Sequence, residues 1–170
     1  TYYSEKLKKE KFAIDDELLR PYFQLENVVN GVFKTAQKLF GITFKQRNDI
    51  DVYHEDVITY EVLSDKNEHL AVFYADFFPR PGKRQGAWMT SFRSQQIEDN
   101  RNIRPHVSIV CNFTKPTDEL PSLLSFQEVT TLFHEFGHAL HGIFANGNYA
   151  SLSGTSVFWD FVELPSQLLE

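Results

Sequence analysis

A chain of 170 residues that is 42% hydrophobic and 24% charged has the balance of one folded domain in water, or of a large piece of a bigger one, and not of a disordered segment. Sixteen Phe, seven Tyr and two Trp supply aromatic area for a sizeable core. With 17 Lys and Arg against 23 Asp and Glu the formal charge is −6, which argues against a nucleic-acid partner, because such binders show a basic face.

Residues 2–12 carry a short helical pattern whose basic run, Lys6 to Lys11, alternates with Leu7 and Phe12 as the wet side of a helix would. Asp15 and Asp16 stand where caps for a second helix belong. Over 16–39, Leu18, Leu19, Phe23, Val28, Val29, Val32, Phe33, Ala36 and Leu39 recur at three- and four-residue steps. Pro21 kinks or restarts that helix, and Gly41 is its stop signal. Ile42–Lys45, Val57–Leu63 and Leu70–Phe77 are rich in β-branched and aromatic residues and predict strands, the last two joined as a hairpin through Asp65–Glu68. Pro79–Lys83 is a loop by composition. Gly86–Phe92 predicts a further strand and Val107–Phe113 a buried one that carries the only cysteine, Cys111. A lone cysteine forbids an internal disulfide and fits a reducing compartment, with the cytoplasm expected and the periplasm the alternative. No apolar run approaches the roughly 20 residues of a membrane helix, so no membrane partner is expected.

From Ser125 the helical period returns, with Glu128 at the spacing of a capping box. Val129, Leu132, Phe133, Phe136, Leu140 and Ile143 form the apolar flank as far as Gly142. Asn146–Ser156 is a polar loop, and a final helix starts near Phe158 and runs through Glu163, with Pro165 early enough to be tolerated. There is no internal repeat. The ends look cut, which predicts one segment of the catalytic domain of a longer enzyme: a helical arm over 1–41, a sheet region over 42–114 and functional helices over 120–170.

The chemistry concentrates in His134-Glu135-Phe136-Gly137-His138. Positions i and i+4 of a helix share one face, so both imidazoles can point at one ion. Zinc accepts imidazole at roughly 2.0–2.1 Å and keeps a position for water in catalytic sites. Glu135, rotated about 100° from His134, can approach that water without binding the metal. Gly137 removes a side chain where substrate or a packed element can come close. A carboxylate, Glu163, follows on the next predicted helix, with Asp160 one turn before it and Ser166 and Gln167 one turn after, able to orient ligands. His141 is a rival third ligand, but an ion midway between His134 and His138 lies about 7.5 Å along the axis from it, so lining the cleft or packing is its expected role. The histidine that a longer HExxHxxGxxH pattern needs is replaced by Phe144. Gly86-Ala87-Trp88-Met89 fits either an exposed strand edge that pairs with an extended substrate or an ordinary strand with Trp88 in the core. Arg80, Lys83 and Arg84 form a charged turn that is either solvated or attracts a peptide carboxylate.

Thr131 to His141 resembles the active-site helix of the thimet oligopeptidase family, and Asp160 to Gln167 resembles that family's glutamate-ligand helix. Tyr74 to Arg84 and the Ser151–Ser156 loop are similar as well, and the likeness spans nearly the whole chain, nearest the bacterial peptidyl-dipeptidase and oligopeptidase A branch. The predicted elements read as α+β, two helical arms around a small mixed or antiparallel sheet beside the HExxH helix, and the resemblance implies a mainly helical, zincin-like catalytic core. It implies one zinc ion held by His134, His138 and Glu163, Glu135 as general base, and a deep channel that admits short peptides and excludes folded proteins. Trp159 departs from the family, where an arginine often stands, and the family's downstream Gly/Tyr-rich segment with its oxyanion-stabilising tyrosine and histidine is missing. Metal binding is therefore expected here, and full turnover only with the remaining part of the parent domain. The competing expectation is a non-catalytic zinc-binding or helical scaffold.

Overall fold

The computed structural model describes residues 2–12 and 16–170. Helix α1 (Tyr2–Phe12) buries neither Leu7 nor Phe12, so its predicted apolar side faces outward too. Asp15, expected as a cap, lies outside the described residues. The long helix predicted over 16–39 is two pieces, α2 (Asp16–Leu19) and α3 (Leu25–Phe40), separated by a 3₁₀ turn at Arg20–Tyr22. Pro21 lacks the N–H that the α-helical ladder needs. The freed backbone pairs elsewhere: Gln24 bridges to Leu123, and Phe23 O accepts from Leu124 N at 2.8 Å. Helix α3 ends on Gly41 at φ 71°, a left-handed cap that costs glycine nothing.

Five strands form a mixed sheet: β1 (Thr43–Arg47), β2 (Ile58–Leu63), β3 (His69–Asp76), β4 (Trp88–Arg93) and β7 (His106–Val110), in the order β1-β2-β3-β7-β4. The β2–β3 hairpin forms as predicted. The next pairing is less local. Strand β7 runs parallel to β3 and antiparallel to β4, which pushes β4 out to the edge. A small ribbon, β5 (Gln96–Glu98) with β6 (Arg101–Ile103), was not predicted. It turns through Asp99 and Asn100, both at positive φ, the conformation of a tight hairpin.

One sheet face, through Phe73, Ala75, Val107 and Ile109, packs on α3 and on α4 (Phe126–Ile143). Phe136 of the motif sits among Phe33, Phe44 and Phe73 with ring centroids 5.7–6.1 Å away, so half of α4 is core anchor. At its start, Ser125 Oγ accepts from Glu128 N at 3.2 Å while Glu128 Oε2 accepts from Ser125 N at 2.7 Å. Ser125→Ala is expected to cost about 1 kcal/mol of stability, read by thermal unfolding, because two backbone donors lose their reciprocal partners. At the far end, Arg104 donates to Ile143 O (2.7 Å) and Ala145 O (3.0 Å), and its Nε to Leu70 O (2.7 Å). One guanidinium thus caps α4 and ties it to β3.

The final predicted helix is also divided, into α5 (Trp159–Val162) and α6 (Leu164–Leu169), with Glu163 at the joint. Pro165 removes a ladder donor and crowds the carbonyl four residues earlier, so the helix restarts around it. Helices and a mixed sheet together make the chain α+β. Among the described residues no helix is long and apolar enough to cross a membrane.

Candidate metal centre

Helix α4 lies against β7 and β4 because Gly142 leaves room there. A Cβ on it would stand 2.8 Å from Met89 Cε and 3.2 Å from Val107 Cγ2. Burying Leu132, Phe136, Ala139 and Ile143 on the sheet side turns His134 and His138 toward a cleft of about 590 Å³ beside the edge strand. The short α6 closes the other side. It sits on α4 at Gly137, where a Cβ would be 2.5 Å from both Pro165 O and Ser166 Cα. The glycine of the motif therefore serves the packed element rather than substrate.

This contact brings the joint residue Glu163 over the two imidazoles. Its Oε2 lies 3.3 Å from His134 Nε2 and 3.1 Å from His138 Nε2, and one donor atom from each of the three falls within 4.8 Å of the others. Ligands about 2.0–2.1 Å from one ion at tetrahedral corners stand about 3.3 Å apart, so the two distances to Glu163 fit zinc. The charge states fit as well. Burial lowers the His138 pKa, outweighing the pull of Glu163, so the neutral ring with its free lone pair is favoured. The Ser166 hydroxyl, 2.8 Å away, holds the Glu163 carboxyl below its usual range, with His138 and His134 adding to it against burial. Two imidazoles and one carboxylate are a donor set that suits zinc.

Glu135 is buried and lines the same cleft. Burial raises its carboxyl above the usual range; His134 works against this, Glu163 adds to it, and the Met89 backbone N–H points at it. Ala87, Trp88 and Met89 line the cleft wall, while Gly86 lies at φ 96° in open surroundings just before them. Its carbonyl and that of Arg84 accept from Asn112 Nδ2 at 2.7 and 3.0 Å, which holds the approach to the edge strand. Asp160 is exposed on the first turn of α5, where a carboxylate complements the helix N-terminus. The His141 ring packs on Phe161 at 5.9 Å, away from the three donors.

The charged turn resolves into two parts. Arg80 and Lys83 both reach Asp76, at 2.8 Å each, and Tyr53 donates to it at 3.0 Å. Burial would raise the Asp76 carboxyl, but these donors outweigh it and hold it below the usual range. Arg84 instead lies 4.7 Å above the Trp88 ring. The sequence missed one neighbour of the centre. Glu170 Oε2 stands 3.2 Å from His134 Nδ1. The only sequence signal for it was position, about two helical turns beyond Glu163 on the same face.

The profile of peptidase family M3 matches residues 1–170. The dipeptidyl carboxypeptidase of Salmonella typhimurium strain LT2 is 50% identical over 170 residues, covering 99% of this chain and 25% of that protein. Oligopeptidase A of Escherichia coli strain K12 is 44% identical over 171 residues, with the same two coverages. A thimet-like oligopeptidase of Dictyostelium discoideum is 38% identical over 172 residues, 99% of this chain and 26% of that one. The chain thus spans about a quarter of the length of these relatives.

Proposed function

The chain belongs to peptidase family M3, and on this footing we propose that it carries the metal centre and catalytic carboxylate of a zinc-dependent peptidase that hydrolyses short peptides. The observation that carries the proposal is the convergence of His134, His138 and Glu163, with Glu163 Oε2 3.3 and 3.1 Å from the two Nε2 atoms, beside Glu135 buried in the same cleft. The zincin-like arrangement belongs to the proposal too, with α4 beside an edge strand and a carboxylate helix across the cleft. Relatives named for dipeptide release and for oligopeptide cleavage both match over 99% of the chain, which makes short peptides the proposed substrate class.

Zinc, when bound, supplies Lewis acidity that polarises a carbonyl and makes water acidic near neutral pH. The chain's own residues do the rest. His134, His138 and Glu163 fix the ion. Glu135, whose burial makes it a stronger base than an exposed carboxylate, takes a proton from the attacking water and delivers it to the leaving amine. The outer edge of β4, with Ala87 just before it, offers main-chain groups to an extended peptide beside the Met89 N–H that points at Glu135.

We further propose that this segment packs against the remainder of a longer catalytic domain. Phe158, Trp159 and Leu168 are 86%, 87% and 76% exposed beside the centre, and such apolar surface usually marks an interface. The cytoplasm is the proposed compartment, on the strength of the single buried thiol of Cys111. In the complete enzyme, cleavage of a fluorogenic peptide is expected to fall to background with a zinc chelator and to return on adding zinc. Bound zinc without chelator-sensitive cleavage would instead support the non-catalytic scaffold.

A further inference from the structure

We infer that Glu170 is a positioning residue for the metal centre: it accepts the Nδ1 proton of His134 and so aims the Nε2 lone pair of that ring at the ion. The inference rests on the reading of His134, His138 and Glu163 as the ligand set.

A neutral imidazole has one N–H and one lone pair, and whichever nitrogen donates leaves the other free to bind a cation. His134 has a carboxylate on each side. Glu163 Oε2 is 3.3 Å from Nε2, and Glu170 Oε2 is 3.2 Å from Nδ1. Glu163 converges with the second imidazole, 3.1 Å from His138 Nε2, whereas Glu170 belongs to no metal-holding group among the described residues. The two carboxylates therefore divide the ring: one shares the ion, and the other takes the proton. A carboxylate on the outer nitrogen fixes the tautomer and ring plane and makes the metal-facing nitrogen more basic.

The backbone explains why Glu170 can do this. Gln167 N donates to Glu163 O at 2.9 Å and Glu170 N to Ser166 O at 3.1 Å, so the helical turns of α6 carry the two acids on one face. Contact of this helix with α4 at Gly137 sets both at once. A single short helix thus supplies a ligand at its start and an orienting group at its end.

Two measurements on the complete enzyme test this. Zinc affinity, read by competition with a chromophoric chelator, is expected to fall about 10–100-fold in Glu170→Ala. Glu170→Gln, which keeps an acceptor oxygen at the same reach, should recover part of the loss. Proton spectra of the zinc-loaded, histidine-labelled protein should show the His134 Nδ1–H far downfield, as a carboxylate-bound N–H, and move it upfield in Glu170→Ala. Loss of helix packing alone would not produce that ring-specific change. Unchanged affinity together with an unchanged Nδ1–H resonance overturns the assignment of Glu170. A different failure, in which the wild-type enzyme takes up no zinc and His138→Ala matches it, sinks the metal-site reading and this inference with it.

Discussion

Glu135→Gln is expected to leave zinc bound and to cut peptide hydrolysis by the complete enzyme about 10²–10⁴-fold, the usual share of a general base. Glutamine is isosteric and fits the buried space Glu135 occupies. It carries no charge, so it escapes the burial penalty that raises the Glu135 carboxyl. The fold should therefore tolerate the change. What the amide cannot do is take a proton from water. The signature is a loss in kcat with KM nearly kept and one zinc per chain by metal analysis. Loss of zinc would make Glu135 a ligand, and normal kcat would end its assignment as the base.

Gly137→Ala should damage the proposed metal centre without touching a proposed ligand. The new Cβ would lie 2.5 Å from Pro165 O and from Ser166 Cα and 2.9 Å from Pro165 C, all main-chain atoms. No side chain can rotate to relieve this, so α6 must move back from α4. Metal geometry tolerates only about 0.2 Å, and the residue carried away is Glu163. Zinc affinity is expected to fall by more than the roughly 10–100-fold that an outer partner commands, and stability by about 1–3 kcal/mol for overpacking. Chelator competition and thermal melting read the two effects separately. Unaltered zinc binding would show that Glu163 is not needed in the coordination shell.

The parts legible in the sequence were those set by short-range chemistry. The Ser125–Glu128 box, the left-handed stop at Gly41 and the β2–β3 hairpin each depend on residues a few positions apart, and each appears in the structure. The HExxH spacing works in the same way, since one helical turn suffices to align His134 with His138. Long-range choices were not legible. Nothing local to Val107–Val110 says that it inserts between β3 and β4, yet that insertion makes β4 an edge. The commitment of Arg80 and Lys83 to Asp76 depends on tertiary burial of one carboxylate. Glu170 was overlooked because its role depends on where α6 lands, and only Gly137 could have hinted at that landing. In two places the signal was present and underweighted. Pro165 suits the first turn of α6, which also means that α5 must end before it. Asp99-Asn100 is a tight-turn pair that joins β5 to β6.

The hold of Arg104 on Leu70, Ile143 and Ala145 bears on how the centre fails. Unravelling the last turn of α4 would strand a cation among carbonyls without partners and would also loosen a central strand. Fraying at that end of the helix is therefore coupled to loosening of β3, the strand that Arg104 also holds.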